Sequence, residues 1–189
     1  RYASFAPGFF NSNVSAIAFQ SDGRAIIGGT ISHSSGDFDE AGNIARLDAR
    51  GDVDAAFNVG GSGFNGIVNN MVVLSDDSVI IGGEFTDYNG TSVGRLVHLS
   101  ADGVLNTVFN ANIGVGASAA VNSIVLQANG QILVGGDFTA FNGGATDGLT
   151  RLTAEGTLGD TLNLPFDVSF DSKINDILVQ DDGKIMVVG

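Results

Sequence analysis

The 189-residue chain sets 8 Lys and Arg against 21 Asp and Glu, a formal charge of −13, and is rich in glycine, with 28. Apolar residues make up 43% and charged residues only 15%, which excludes a disordered chain, and the acidity excludes a phosphate backbone as an expected partner. With no Cys there is no disulfide scaffold, Cys-ligated zinc or thiol nucleophile, and no run reaches the ~18 apolar residues of a membrane span.

In chain order the sequence reads as a tandem repeat. Residues 1–13, with SFAPGFFNSN, read as the tail of a preceding unit. Complete units follow over residues 14–67, 68–120 and 121–173, and residues 174–189 form the first half of another. Their openings align as VSAIAFQSDGRAIIGG, VNNMVVLSDDSVIIGG, VNSIVLQANGQILVGG and INDILVQDDGKIMVVG, at a period of about 53 residues. A second block recurs as RLDARGDVDAAFN, HLSADGVLNTVFN and RLTAEGTLGDTLN. The first unit carries a small insertion within ISHSSGDFDEAGN.

Each unit predicts four short strands. In the first unit they fall near Val14–Gln20, Ala25–Gly29, Ile44–Asp48 and Ala55–Val59. Two-residue type I′ turns are expected at Asp22-Gly23, Asn129-Gly130 and Asp182-Gly183, where both residues tolerate positive φ; Asp76-Asp77 is a weaker turn. The first two strands are apolar at nearly every position, as in Met71 to Leu74 and Val79 to Ile81, which signals burial on both faces. The later pair is mixed, and no sustained helical period appears. Gly28-Gly29, Gly82-Gly83 and Gly135-Gly136 close the second strand, and Val188-Gly189 occupies that place in the last unit. The second slot, at Gly29, Gly83 and Gly136, therefore predicts a close backbone approach or a positive φ. The pattern specifies an all-β fold, a β-propeller of four-stranded blades, and this stretch reads as an incomplete window on a larger ring. A β-sandwich would alternate along its strands, and a β-helix needs shorter coils.

GGEFTDYNG from Gly82, GGDFTAFNG from Gly135, the three second blocks and the Gln180 to Ile185 run resemble the delta-60 repeat family. The resemblance covers essentially the whole chain. It implies a β-propeller-like fold in large secreted or surface bacterial proteins, and no reaction. GGTISHSSG in the first unit and TLGDTLN in the third depart from the signature, so those loops are individual.

Other motifs are weak. Gly61 to Gly66 spells G-x-G-x-x-G but leads into a strand rather than a helix, so it reads as an inter-blade linker. GGSGFNGIV from Gly60 is a single, untandemed match to a calcium-binding β-roll nonapeptide. Asp37, Asp39 and Glu40 in the inserted loop could hold Ca²⁺, with a solvated acidic loop as the alternative. Asp22, Asp102 and Asp182 are explained by turn chemistry. His98 shares the column of Arg46 and Arg151 and reads as an outward strand residue; His33 reads as exposed. The Asn13-Val-Ser15 and Asn89-Gly-Thr91 sequons read as incidental. No catalytic residue and no cofactor is expected.

The expected function is a non-catalytic extracellular or cell-surface module with a structural or adhesin-like binding role. A virion or filament component and a propeller-scaffolded hydrolase are the alternatives. Expected partners are further blades of the same polypeptide or neighbouring subunits, and a glycan or surface protein. No nucleic acid and no membrane insertion are expected. The open blade faces are expected to include Ile177, Val179, Ile185 and Val187.

Overall fold

The computed structural model describes residues 13–31, 42–160 and 173–189. The inserted loop with Asp37, Asp39, Glu40 and His33 lies outside them. Three antiparallel three-stranded sheets follow one another along the chain. The first pairs β1 (Val14–Phe19), β2 (Ala25–Gly29) and β3 (Ile44–Leu47). The second pairs β4 (Val68–Val73), β5 (Val79–Gly83) and β8 (Leu96–Leu99). The third pairs β9 (Val121–Leu126), β10 (Ile132–Gly136) and β13 (Leu149–Leu152). β14 (Asp176–Val179) and β15 (Ile185–Val188) form a two-stranded fourth.

The sheets stack face to face, so alternate residues of a strand point into different interfaces. On β5, Val79 and Ile81 face the first blade while Ile80 joins the cluster shared with the third. This two-sided burial produces the unbroken apolar runs. The third strands are buried as well: all four residues of β3 and three of the four of β8 are buried, so the mixed composition there does not mark an outer, wet strand. Ile177 is buried, and Val179, Ile185 and Val187 pack with it on Leu133 of the third blade. The exposed face of the fourth sheet carries Leu178, Met186 and Val188 instead, and β1 exposes Ile17 and Phe19.

The expected fourth strand is replaced by a single bridging residue: Val53 on Leu47, Leu105 on Leu99, Leu158 on Leu152. The next side chain bends the chain away from the sheet. Asp54 Oδ1 accepts from the Ala56 amide, and Asn106 Oδ1 accepts from Val108 and Phe109, capping the short helix α1 (Thr107–Ile113). Phe57 and Phe109 are thereby buried beneath the turns of the following blade, against Gly103 and Gly156.

The turns also differ from expectation. Between the first two strands only one residue has positive φ in each blade: Gly23, Asp77, Gly130 and Gly183. Gly23 donates its amide to Gln20, and the Gln20 amide bonds Arg24 across the turn. This is a three-residue loop ending in a left-handed residue, not a type I′ pair. Asp22, Asp76, Asn129 and Asp182 each accept from the amide two residues on. Type I′ geometry occurs elsewhere, at Asn89-Gly90 and Asn142-Gly143, with positive φ at both residues. These turns join β6 (Asp87–Tyr88) to β7 (Thr91–Ser92) and β11 (Ala140–Phe141) to β12 (Gly144–Ala145).

Candidate functional site

The first strands of successive blades approach one another closely. Hydrogen bonds run directly between them, as from Ile124 N to Asn70 Oδ1 and from Ser123 Oγ to Asp176 Oδ1, at 3.3 and 2.9 Å. Blades converge there, so these strands line the axis. In the three complete sheets the register slips at the start of that strand, between Val14 and Ala16, Val68 and Asn70, and Val121 and Ser123. Each bulge places one extra residue, Ser15, Asn69 or Asn122, where its side chain is re-aimed sideways. Asn69 Nδ2 reaches Val121 O at 3.1 Å and Asn122 Oδ1 at 3.3 Å. Asn122 Nδ2 in turn reaches Ile174 O at 2.9 Å and Asp137 Oδ1 at 2.8 Å.

The residue after the Gly-Gly pair opens onto the same end: half-buried Thr30, exposed Glu84 and half-buried Asp137. Asn175 and Asp176 are exposed beside them. The face is rich in acceptors. Of the cations at this end, Arg95 spends Nη1 on Ala117 O at 2.7 Å, and exposed Lys173 directly precedes Ile174. Beneath it lies a fixed floor. Phe64 stacks on Phe85 with centroids 4.1 Å apart and tilts against Tyr88 at 4.6 Å; in the next blade Phe138 meets Phe141 edge-on at 6.0 Å, and Ala117 stands where Phe64 does. Burial drives the Tyr88 hydroxyl well above its usual range, and it donates to Gly103 O at 2.6 Å, so it is a structural donor.

The Gly61 to Gly66 segment is the connection into β4. Gly63 has positive φ, and Phe64 bonds Gly42 on one side and bridges Tyr88 on the other. At Gly29, Gly83 and Gly136 φ is not positive. The close approach alone accounts for these glycines, because a Cβ would strike Asn13 O, Ile67 O or Ala120 O of the adjacent strand.

The opposite end of the blades holds the ionic groups. Arg46 is fully buried, not outward: its Nε donates to Asp54 Oδ2 at 2.9 Å, and its Nη1 to Ala101 O at 2.6 Å and Asp102 Oδ1 at 2.9 Å. The guanidinium lies 5.2 Å over the Phe57 ring. Asp102 thus does more than shape a turn. Burial pushes the Asp54 carboxyl up, but the Ala56 amide and the Arg46 charge outweigh it and hold it below 3.8. Ser21 donates N and Oγ to Asp77 Oδ1 and Oδ2 at 2.7 and 2.6 Å, tying the first blade to the second. His98, in the Arg46 column, is half-buried and packs edge-on against Phe109 rather than pointing outward. Sequence columns alone missed the bulge-borne asparagines; the signal available was the recurrent polar pair Asn69-Asn70, Asn122-Ser123, Asn175-Asp176 in otherwise apolar strands. Among the described residues no three His, Cys, Asp or Glu side chains gather as a metal site, and no helix is long and apolar enough to cross a membrane.

Residues 20–57, 74–109 and 127–158, more than half of the chain, match the family described as "Domain of unknown function (DUF5122) beta-propeller". The chain belongs to this β-propeller family. No curated protein sequence matches it. Its fold is similar to that of a catalytically inactive H270A virginiamycin B lyase from Staphylococcus aureus, with a TM-score of 0.53 and 17% identity, over 96% of this chain and 50% of the lyase. It is also similar to the extracellular domain of the one component system BT4673 from B. thetaiotaomicron, with a TM-score of 0.52 and 14% identity, over 99% of this chain and 21% of that one. The chain thus spans half the length of the first of these proteins and about a fifth of the second.

Proposed function

We propose that this is an extracellular or cell-surface recognition module that binds neutral, hydroxyl-rich ligands, a glycan in the first instance, without chemical turnover. The ligand would bind at the end where the innermost strands begin. One observation carries the reading. A blade-by-blade arc of polar side chains, Asn69, Asn122 and Asn175 with Glu84, Asp137 and Asp176, runs along the innermost strands on an apolar, closely packed scaffold. Carboxylate and amide oxygens accept from hydroxyl donors, and the concentrated negative charge repels anionic ligands. The fold shared with the extracellular domain of BT4673 supports the surface location.

A glycan array containing neutral, sialylated and sulfated members tests this. Neutral glycans are expected to bind, and Glu84→Ala with Asn175→Ala, two exposed positions, to weaken binding about tenfold while leaving the melting temperature unchanged. Binding confined to acidic glycans, or unaffected by the double variant, refutes the site. Turnover of any bound glycan refutes the non-catalytic reading.

A further inference from the structure

The joint between the second and third blades contains a hydrogen-bond chain whose polarity is determined throughout. At one end Asn106 Oδ1 accepts from the amides of Val108 and Phe109, at 3.1 and 3.0 Å, so that atom is the amide oxygen. Asn106 Nδ2 must then be the atom 3.2 Å from His98 Nδ1. An amide nitrogen only donates, so Nδ1 bears a lone pair and the ring proton sits on Nε2. Nε2 lies 2.8 Å from Ser78 Oγ, which donates its own proton to Asp76 Oδ1. The chain runs Asn106 to His98 to Ser78 to Asp76, and every donor meets an acceptor.

We propose that His98 is a pH-sensitive latch on this joint: a proton taken up from solvent at Nδ1 sets two donors against each other and releases the Asn106 cap of α1. That cap orders the helix that fills the joint. Phe109 and Ile113 are buried in the cluster shared by the second and third blades. Phe109 lies against Gly156, meets the His98 ring edge-on at 5.5 Å, and is flanked by a 2.8 Å bond from Asn112 Nδ2 to Glu155 O. The ring's surroundings are otherwise neutral. Burial pushes the imidazole below its ordinary value of 6.5, and Asp76, the acid that opposes this, is already occupied by Ser78. The Glu155 side chain, on the turn above α1, is exposed and meets neither partner. Because the folded ring binds its proton less readily than the unfolded one, the joint is at full strength above pH about 6.5 and weakens as the pH falls below it. In the first joint the same column holds Arg46 in place of an imidazole.

Amide hydrogen exchange of Val108 and Phe109, with NMR titration of His98, tests the latch. Between pH about 7.5 and 5, after correction for intrinsic exchange, protection of these amides should fall about tenfold or more, while that of β2 and β3 amides holds. His98→Gln should abolish the pH dependence. Asn106→Asp keeps the capping oxygen but offers Nδ1 an anion. It should raise the His98 pKa by about one unit or more and keep α1 protected at the lower pH. An equal loss of protection in His98→Gln, a pH-independent wild type, or an unmoved His98 pKa in Asn106→Asp overturns the proposal.

Discussion

Gly82 and Gly83 are adjacent, yet each excludes a side chain for a different reason. A Cβ at Gly82 would enter the next blade and meet Val121 and Ile124 side chains, which can shift; one at Gly83 would meet the backbone carbonyl of Ile67, which the Glu84 amide holds in place. Both substitutions overpack. Gly82→Ala should cost about 1–3 kcal/mol, and Gly83→Ala more, as read by chemical denaturation. Asp77 is the instructive exception among the turn residues. It takes the left-handed conformation that glycine holds in the other blades, at φ 65°, and its carboxylate holds Ser21. Asp77→Gly should relieve backbone strain and lose those bonds together. The variant should therefore change stability little, while Asp77→Ala, which loses the bonds and keeps the strain, is clearly worse in the same measurement.

At the scale of the element, Arg46 joins β3 to the turn that follows β8. Its acids differ from it in exposure: the guanidinium is fully buried, whereas the Asp102 side chain is 65% exposed. Removing the acids strands a buried charge; removing Arg46 leaves acids that water can solvate. Asp54→Asn with Asp102→Asn should therefore destabilise by about 3–5 kcal/mol, and Arg46→Met by less. The pH dependence follows the same pair. The Asp54 carboxyl lies below 3.8 in the folded chain, so its contribution is present above that value and lost as pH falls through the lower folded value. Acid denaturation of Arg46→Met should accordingly be shallower below pH about 4. Much of this architecture was legible in the sequence. The apolar runs from Val68 and Val79 marked the doubly buried strands, and the glycine pairs marked the tight approach. The fourth strand was misread because Asp54 and Asn106 redirect the backbone through single side-chain bonds, which hydropathy does not register. The type I′ turn was assigned to Asp22-Gly23 rather than Asn89-Gly90 because both pairs suit it and only strand pairing distinguishes them. The asparagines were overlooked because the polar pairs Asn69-Asn70 and Asn122-Ser123 read only as breaks in apolar strands, and hydropathy does not say that a bulge re-aims one residue of each pair sideways.

At the scale of the whole molecule, and among the described residues, clustered apolar side chains are exposed on both outer faces of the stack, with others such as Val59 and Val115 exposed singly elsewhere. Ile17 is 60% and Phe19 70% exposed on one, and Leu178, Met186 and Val188 are exposed on the other. Such faces fit another blade and otherwise drive association. The 189-residue chain by itself should bind a hydrophobic dye and sediment as more than a monomer, and Ile17→Lys with Phe19→Glu should reduce both. A clean, dye-silent monomer would mean that these faces are covered within the chain.

The interlocking of glycine and β-branched residue has a consequence for how such a molecule can grow. Every inner joint consists of a socket, Gly28, Gly82 or Gly135, and a plug, Val68, Val121 or Ile174, seated in it. Each complete blade carries a plug on one side and a socket on the other, so a duplicated segment inherits both halves and fits its new neighbours without further change. The stack behaves as a polymer of compatible monomers written in a single gene, and its length can vary while its chemistry stays constant. Val188 breaks that rule. Its methyl groups occupy the socket, so a copy bearing a valine or isoleucine plug cannot seat on that face to the same depth, and extension there calls for a blade of smaller residue.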